Sequence, residues 1–254
     1  MANDKRLYWG FVPANVPAST VAAQAKMQED IGLDGLMAAQ LHSTPFIPLA
    51  AAATSTSRVR LLSGIAFAFT RSPFETALSA MDLDRMSDGR FILGLGCSVR
   101  ALSEEIYGMP YGKPLDHMRE VVDIVRMVIE KAHTGELESY AGEYHKHDFS
   151  MLKWLAPPPP LRTDLPIWIA ALRQPLVSLA AEIADGVMGH PIWSIPWATK
   201  TVPGAIERGL KRGGRQRDEI EFQVGLYVAA SNDRAEAVND ARSTVAFYAG
   251  AAQY

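Results

Sequence analysis

The 254-residue sequence predicts an α/β fold, a TIM-type (β/α)8 barrel, on three observations. Short apolar runs alternate with segments of helical periodicity along nearly the whole chain, which calls for a parallel sheet with right-handed crossovers. The apolar runs lack a polar face, so the strands are buried on both sides. Each strand–helix unit is about as long as a barrel unit, which favours a barrel over a doubly wound open sheet.

The elements follow in order. Residues 7–12 form the first strand, closed by Pro13. Ser19 caps a helix that runs through Val21, Ala25 and Ile31 and stops at Gly32. Residues 34–40 form the second strand, with Leu41, His42 and Ser43 just past its end, and an alanine-rich helix spans 46–56. The third strand spans 59–66, and Gly64 inside so apolar a run signals a bulge or a backbone pressed against a ligand. Ser72 is an N-cap, Pro73 takes the first helical position and Glu75 completes a capping box, with Phe74, Ala77, Leu78 and Met81 as the buried stripe. The fourth strand leaves the Asp88-Gly89 turn and ends in Gly94-Leu95-Gly96. Its helix, over 115–133, is delayed by a turn-like stretch at 107–114.

An insertion after this fourth helix, over about residues 135–160, breaks the rhythm. It contains a possible hairpin turning near Ala141-Gly142, and the prolines at 157–160 form an extended connector. The alternation resumes with strands over 166–171, 185–190 and 220–230 and helices over 175–184, 197–212 and 233–247. That makes about seven units where a closed barrel needs eight. The expectation is one domain over 1–254, truncated before the eighth unit.

Composition narrows the function. Apolar residues make up 48% and charged residues 21%, which is ordinary globular usage. A net charge of -3 without a basic run gives no support for nucleic-acid binding. The single cysteine, Cys97, excludes an internal disulfide framework and a multi-cysteine metal site. No signal peptide or membrane-length apolar run is present, so a cytoplasmic protein is expected.

The strand ends of such a barrel form its active face. They gather Gly10, Phe11, His42, Gly64, Ile65, Gly94, Leu95, Gly96, Cys97, Ala170, Ala171, Leu172, Arg173 and His190. This set is poor in acids and rich in glycine and aliphatics. It suits a flat apolar ring held by backbone contacts and a few polar anchors, and suits hydrolytic or metal chemistry poorly. His42, fixed before Pro45, is the best acid–base candidate. Arg100 and Arg173 could meet phosphate or carboxylate, or be solvated surface arginines. Gly94-Leu95-Gly96 fails as a dinucleotide fingerprint because Val99 stands at the third glycine position. His133, His145 and His147 are either a metal cluster or surface histidines, the second favoured because no carboxylate–histidine motif accompanies them. Cys97 is either a nucleophile or, better, a packed strand-end residue.

The sequence resembles the luciferase-like flavin and deazaflavin oxidoreductases. The resemblance covers nearly the whole chain. It is most specific in Ser72-Pro73-Phe74-Glu75, in Leu83-Asp84-Arg85-Met86-Ser87-Asp88-Gly89-Arg90 and in Leu93-Gly94-Leu95-Gly96. Pro166-Ile167-Trp168-Ile169-Ala170-Ala171 and Asp185-Gly186-Val187-Met188-Gly189-His190 add to it. Within the family it looks most like the branch using coenzyme F420.

The resemblance implies hydride transfer between F420 and a small organic substrate, with an FMN-dependent monooxygenase as the alternative and a cofactor-free barrel remnant as the second. It implies a non-proline cis peptide at Gly64-Ile65 backing the ring, and His42 beside the ring as both catalytic and cofactor-binding residue. Gly94 to Cys97 would meet the ring or its phosphate arm. Ala170, Ala171, Leu172 and Arg173 match the phosphate-side loop, although Leu172-Arg173 is less glycine-rich than usual. A homodimer through barrel helices, with no nucleic-acid or membrane partner, completes the expectation.

Overall fold

The computed structural model describes residues 6–41 and 43–249. Strand β1 (Trp9–Phe11), helix α1 (Ala18–Asp30), β2 (Gly35–Ala38), α2 (Phe46–Ala53) and β3 (Arg60–Ser63) open the chain. After a two-residue interruption come β4 (Ala66–Phe67), α3 (Pro73–Met86), β5 (Phe91–Gly96) and α4 (Pro114–Lys131). The insertion holds a hairpin, β6 (Tyr140–Ala141) and β7 (Lys146–His147), and the short α5 (Leu152–Leu155). Then follow β8 (Ile167–Ala171), α6 (Gln174–Ile183), β9 (Gly186–Gly189), α7 (Val202–Gly213), β10 (Glu221–Val224) and α8 (Arg234–Ala249).

The main sheet is parallel throughout, in the order β1-β2-β3-β5-β8-β9-β10, with β4 also on β5. It curls into an incomplete barrel flanked by helices. Two contacts across the interior show the curvature. Trp9 on β1 and Trp168 on β8 are not sheet neighbours, yet their ring centroids lie 5.7 Å apart. Arg60 on β3 reaches Glu221 on β10 with two hydrogen bonds of 2.6 and 2.7 Å, and its guanidinium lies over both tryptophan rings.

Side chains alternate along each strand between two layers. Leu36, Leu61, Phe91, Leu93, Leu95, Ile167, Ile169 and Val187 face the helices and merge with their buried stripes. Met37, Leu62, Ile92, Trp168 and Met188 point inward and form a second cluster, with Trp9, Ile65 and Ala170 packed against it. Asp84 of α3, 1% exposed, is held by a fork from Arg162, which also donates to the Phe91 carbonyl at 2.9 Å. The insertion is clamped to α4 because Glu120 accepts the backbone N–H groups of Glu143, Tyr144 and His145.

Several expectations are corrected. Ser19 does not cap α1: the helix starts at Ala18, after Pro17, two residues earlier than the hydroxyl could serve. Ser72 does cap α3, accepting from Phe74 N–H at 3.2 Å, but Glu75 leans toward Arg71 (3.9 Å) instead of closing a capping box. The third strand is two pieces, because residues 64 and 65 leave the ladder. The segment over 197–212 begins with one π-turn, Trp197–Thr201, before α7. The last strand stops at Val224. Among the described residues no helix is long and apolar enough to cross a membrane.

Candidate active site

The site is built where the third strand breaks. β3 pairs with β5 through Leu62 and Ile92, and β4 resumes the pairing through Ala66 and Leu95. Four steps on one strand face three on the other, so one extra residue bulges out. The bulge is Gly64-Ile65, and its peptide bond is cis, as the resemblance implied. Both residues are half-buried between fully buried neighbours, so this backbone is the open part of an otherwise sealed strand.

Two of its backbone groups are bonded by β2 and a residue just past it. Gly64 N–H donates to the Ala38 carbonyl at 2.8 Å, and Gln40 N–H donates to the Ile65 carbonyl at 3.0 Å. The Gln40 side-chain oxygen accepts from Phe67 N–H at 3.0 Å and from Arg71 Nη2 at 3.1 Å, while its nitrogen donates to the Tyr107 hydroxyl at 3.0 Å. Gln40 is 5% exposed and spends every polar atom of its amide on this corner. Burial pulls the Arg71 guanidinium below its ordinary pKa, although an arginine keeps its charge through such a shift.

The glycines of β5 serve the bulge. A methyl group on Gly94 would meet the Ser63 carbonyl oxygen at 1.9 Å, and one on Gly96 would meet Ile65 Cδ1 at 2.1 Å. Their side-chain directions are therefore filled by the bulge itself. Gly96 seats Ile65 against the interior wall.

The sequence-derived candidates divide by layer. Gly64, Ile65 and Ala170 face the interior. Leu95, Cys97 and Ala171 pack outward among the helices, so only their backbone can face a ligand. Cys97 lies 4.0 Å from the Pro114 carbonyl, and burial pushes its thiol up to about 12, which removes the nucleophile reading. Leu172 gives its carbonyl to Trp193 Nε1 at 2.8 Å, which folds Trp193 back onto Gly189 at the barrel mouth. Arg173 is exposed at the start of α6. Arg100 is engaged by its own loop, at 2.6 Å from Glu104 and 3.2 Å from the Gly112 carbonyl. His190, at the end of β9, meets the Tyr248 ring edge-on, and burial pushes its pKa down to about 4. His42 lies outside the described residues.

His145 and His147 of the insertion are not surface groups. His145 and His147 are half-buried in a column of rings, His147 stacked on Phe149 at 5.3 Å. His145 Nε2 stands 3.1 Å from Nε2 of His117, itself stacked between Phe69 and Tyr144. Among the described residues no three His, Cys, Asp or Glu side chains are arranged to hold a metal ion.

Sequence reasoning missed Ser63, Gln40, Arg71 and Tyr107. Gln40 was visible only as a residue at a strand end. The others carry no local signal, because their roles arise from contacts between residues 27 to 67 positions apart.

The comparisons with known proteins agree with this architecture. A Mycobacterium tuberculosis protein, for which a coenzyme F420-dependent oxidoreductase activity has been suggested, is 36% identical over 253 residues, covering 96% of this chain and 70% of that protein. A 5,10-methylenetetrahydromethanopterin reductase of Archaeoglobus fulgidus is 30% identical over 224 residues, covering 87% of this chain and 64% of that protein. The solved coenzyme F420-dependent tetrahydromethanopterin reductase of Methanopyrus kandleri superposes with a TM-score of 0.78 at 24% identity, over 98% of this chain and 74% of that one. The profile of the luciferase-like monooxygenases matches residues 9–254. Barrel, bulge and sequence agree: this enzyme chain belongs to the luciferase-like monooxygenase family.

Proposed function

We propose that the protein is a coenzyme F420-dependent oxidoreductase that moves a hydride between the deazaflavin and a small organic substrate. The observation that carries this reading is the half-open Gly64-Ile65 backbone at the barrel mouth, seated by Gly96 and lined by the apolar interior. A planar tricyclic ring fits such a surface: it needs a flat apolar wall and backbone donors more than charged side chains. The Mycobacterium tuberculosis relative named above supports the deazaflavin.

Gly64 and Ile65 would back the ring, and Ala170 would close the wall opposite. The backbone of Gly94 to Cys97, Ala171, Leu172 and Arg173 would hold the ring's polar edge or its phosphate arm. Bound there, F420 supplies the hydride-carrying carbon. The residues of this chain orient the ring and exclude water, and His42 would hold or deliver a proton at the substrate's reacting atom. We also read the chain as one barrel domain of a cytoplasmic homodimer acting on a small molecule.

The family name keeps one alternative open, an FMN-dependent monooxygenase, with the cofactor-free remnant behind it. Titrating the purified chain with F420 and with FMN, read by fluorescence and absorbance, decides among them. Saturable binding of F420 with no response to FMN is expected. Binding of FMN without F420 would overturn the proposal in favour of the monooxygenase, and binding of neither would favour the remnant.

A further inference from the structure

Arg71 follows β4 and precedes the cap of α3, so it stands one short step past the bulge. Its side chain is 14% exposed. Nη2 donates to Gln40, Nε lies 3.9 Å from Glu75, and the guanidinium carbon sits 5.1 Å from the centre of the Phe46 ring. Nη1 is shielded from water and has no hydrogen-bond partner. Gln40 cannot supply one, because its oxygen already serves Phe67 N–H and Nη2. Glu75, 60% exposed, approaches the Nε side of the guanidinium and not Nη1. A buried cationic donor without an acceptor is costly, and such a group is retained where something else accepts from it.

A second donor stands on the other side of the same amide. The Tyr107 hydroxyl accepts from Gln40 Nε2, which leaves its own hydrogen to give away. Its ring meets Phe67 edge-on at 6.1 Å, and the residue is 39% exposed at the rim. Gln40 thus holds a guanidinium arm and a phenol together beside the bulge that it also braces. A neutral carbonyl could satisfy one of these donors. A planar group with two acceptor oxygens and a negative charge satisfies both and neutralises the cation.

We propose that Arg71 and Tyr107 receive a carboxylate on the substrate, which makes the substrate class an organic acid whose reacting carbon is held over the Gly64-Ile65 wall. This deepens the oxidoreductase reading and rests on it for the reaction, but not for the binding. Benzoate and its neutral isostere benzamide are the probes, followed by saturation-transfer NMR and thermal shift on the chain with and without F420. Benzoate should bind, and benzamide at least about tenfold more weakly. Arg71→Gln should weaken benzoate about tenfold or more, Tyr107→Phe by a few fold, and Arg71→Lys should keep part of the affinity, while F420 affinity stays within about twofold.

Equal binding of benzoate and benzamide would overturn the inference. So would benzoate affinity that survives both Arg71→Gln and Tyr107→Phe, or an equal loss of F420 and benzoate in Arg71→Gln, which would assign the arm to the cofactor. If Arg71→Gln does not fold, by circular dichroism, Arg71→Lys and Tyr107→Phe decide by the same criteria. Arg71-dependent benzoate binding without any F420 binding would sink the oxidoreductase reading and leave this one standing. F420 binding without benzoate discrimination would do the reverse.

Discussion

Ser63 and Gly94 exchange two hydrogen bonds across the break in the sheet. The Ser63 hydroxyl donates to the Gly94 carbonyl at 2.9 Å and accepts from the Gly94 N–H at 2.8 Å. Where β3 stops pairing and β4 has not yet begun, the backbone of β5 would face no ladder partner on that side. A buried peptide group must be satisfied, and a serine side chain does here what a neighbouring strand does elsewhere. Ser63 is fully buried, so no water could substitute.

This pairing brings two backbones so close that Gly94 tolerates no side chain. Gly94→Ala places a methyl 1.9 Å from the Ser63 carbonyl oxygen, an atom that cannot rotate away. The expected cost is about 2–3 kcal/mol. In Gly96→Ala the atom in the way is the end of the Ile65 side chain, which can turn, so the cost is nearer about 1 kcal/mol. Urea denaturation should rank the two variants in that order. F420 titration of Gly96→Ala should show weaker binding because Ile65 is displaced.

Asp84 and Arg162 tie α3 to the segment entering β8, far from the open backbone of the bulge. Asp84→Asn leaves the Arg162 fork without its paired carboxylate, at a site 1% exposed on the acid side. Loss of about 3 kcal/mol is expected. The protein that remains folded should bind F420 as the parent does. Equilibrium unfolding and a cofactor titration on the same preparation check both halves.

Cys97 should be silent to thiol reagents. Its pKa is raised by burial to about 12, so at pH 8 almost no thiolate is present, and the residue is 7% exposed. A colorimetric disulfide reagent should label no thiol in the native protein and one thiol per chain in guanidinium. Rapid labelling of the folded chain would contradict this packing.

Acid should loosen the insertion. His117 Nδ1 lies 3.1 Å from the Tyr111 carbonyl, so that nitrogen carries the hydrogen, and Nε2 must accept from His145. A proton on His117 Nε2 would set two donors against each other, and one on His145 would place a charge inside a half-buried column of rings. Burial first, then His117 and His147, push His145 down from 6.5 to about 4, against a smaller pull from Glu120. Burial alone does the same to His190. The unfolded chain, with ordinary histidines, therefore binds more protons than the folded one between about pH 6.5 and 4. Stability is full above pH 6.5 and falls as pH is lowered toward 4. The urea midpoint should follow this course, and His145→Gln should flatten it.

Much of the architecture was legible without coordinates. Strand–helix alternation reports burial on both sheet faces, and Gly64 inside an apolar strand reports a place where no side chain fits. Ser72 and Pro73 are local signals for a helix start, and they held. Ser19 and Glu75 failed because competing local features won: Pro17 starts the first helix two residues earlier, and Arg71, four residues before Glu75, draws its carboxylate away. The histidines of the hairpin looked like surface residues because nothing in their own stretch announces His117 of α4 as the ring that His145 meets.

By itself the sequence determined the parallel barrel, the position of the bulge and the family, since these rest on periodicity and on motifs within a few residues of one another. Only the tertiary structure decided what the glycines of β5 are for, which strand-end residues face inward, and how Gln40 joins the bulge to Arg71 and Tyr107. Strand pairing sets those contacts, and a one-residue bulge shifts which side chains reach the mouth; that geometry exists only once the sheet has curled.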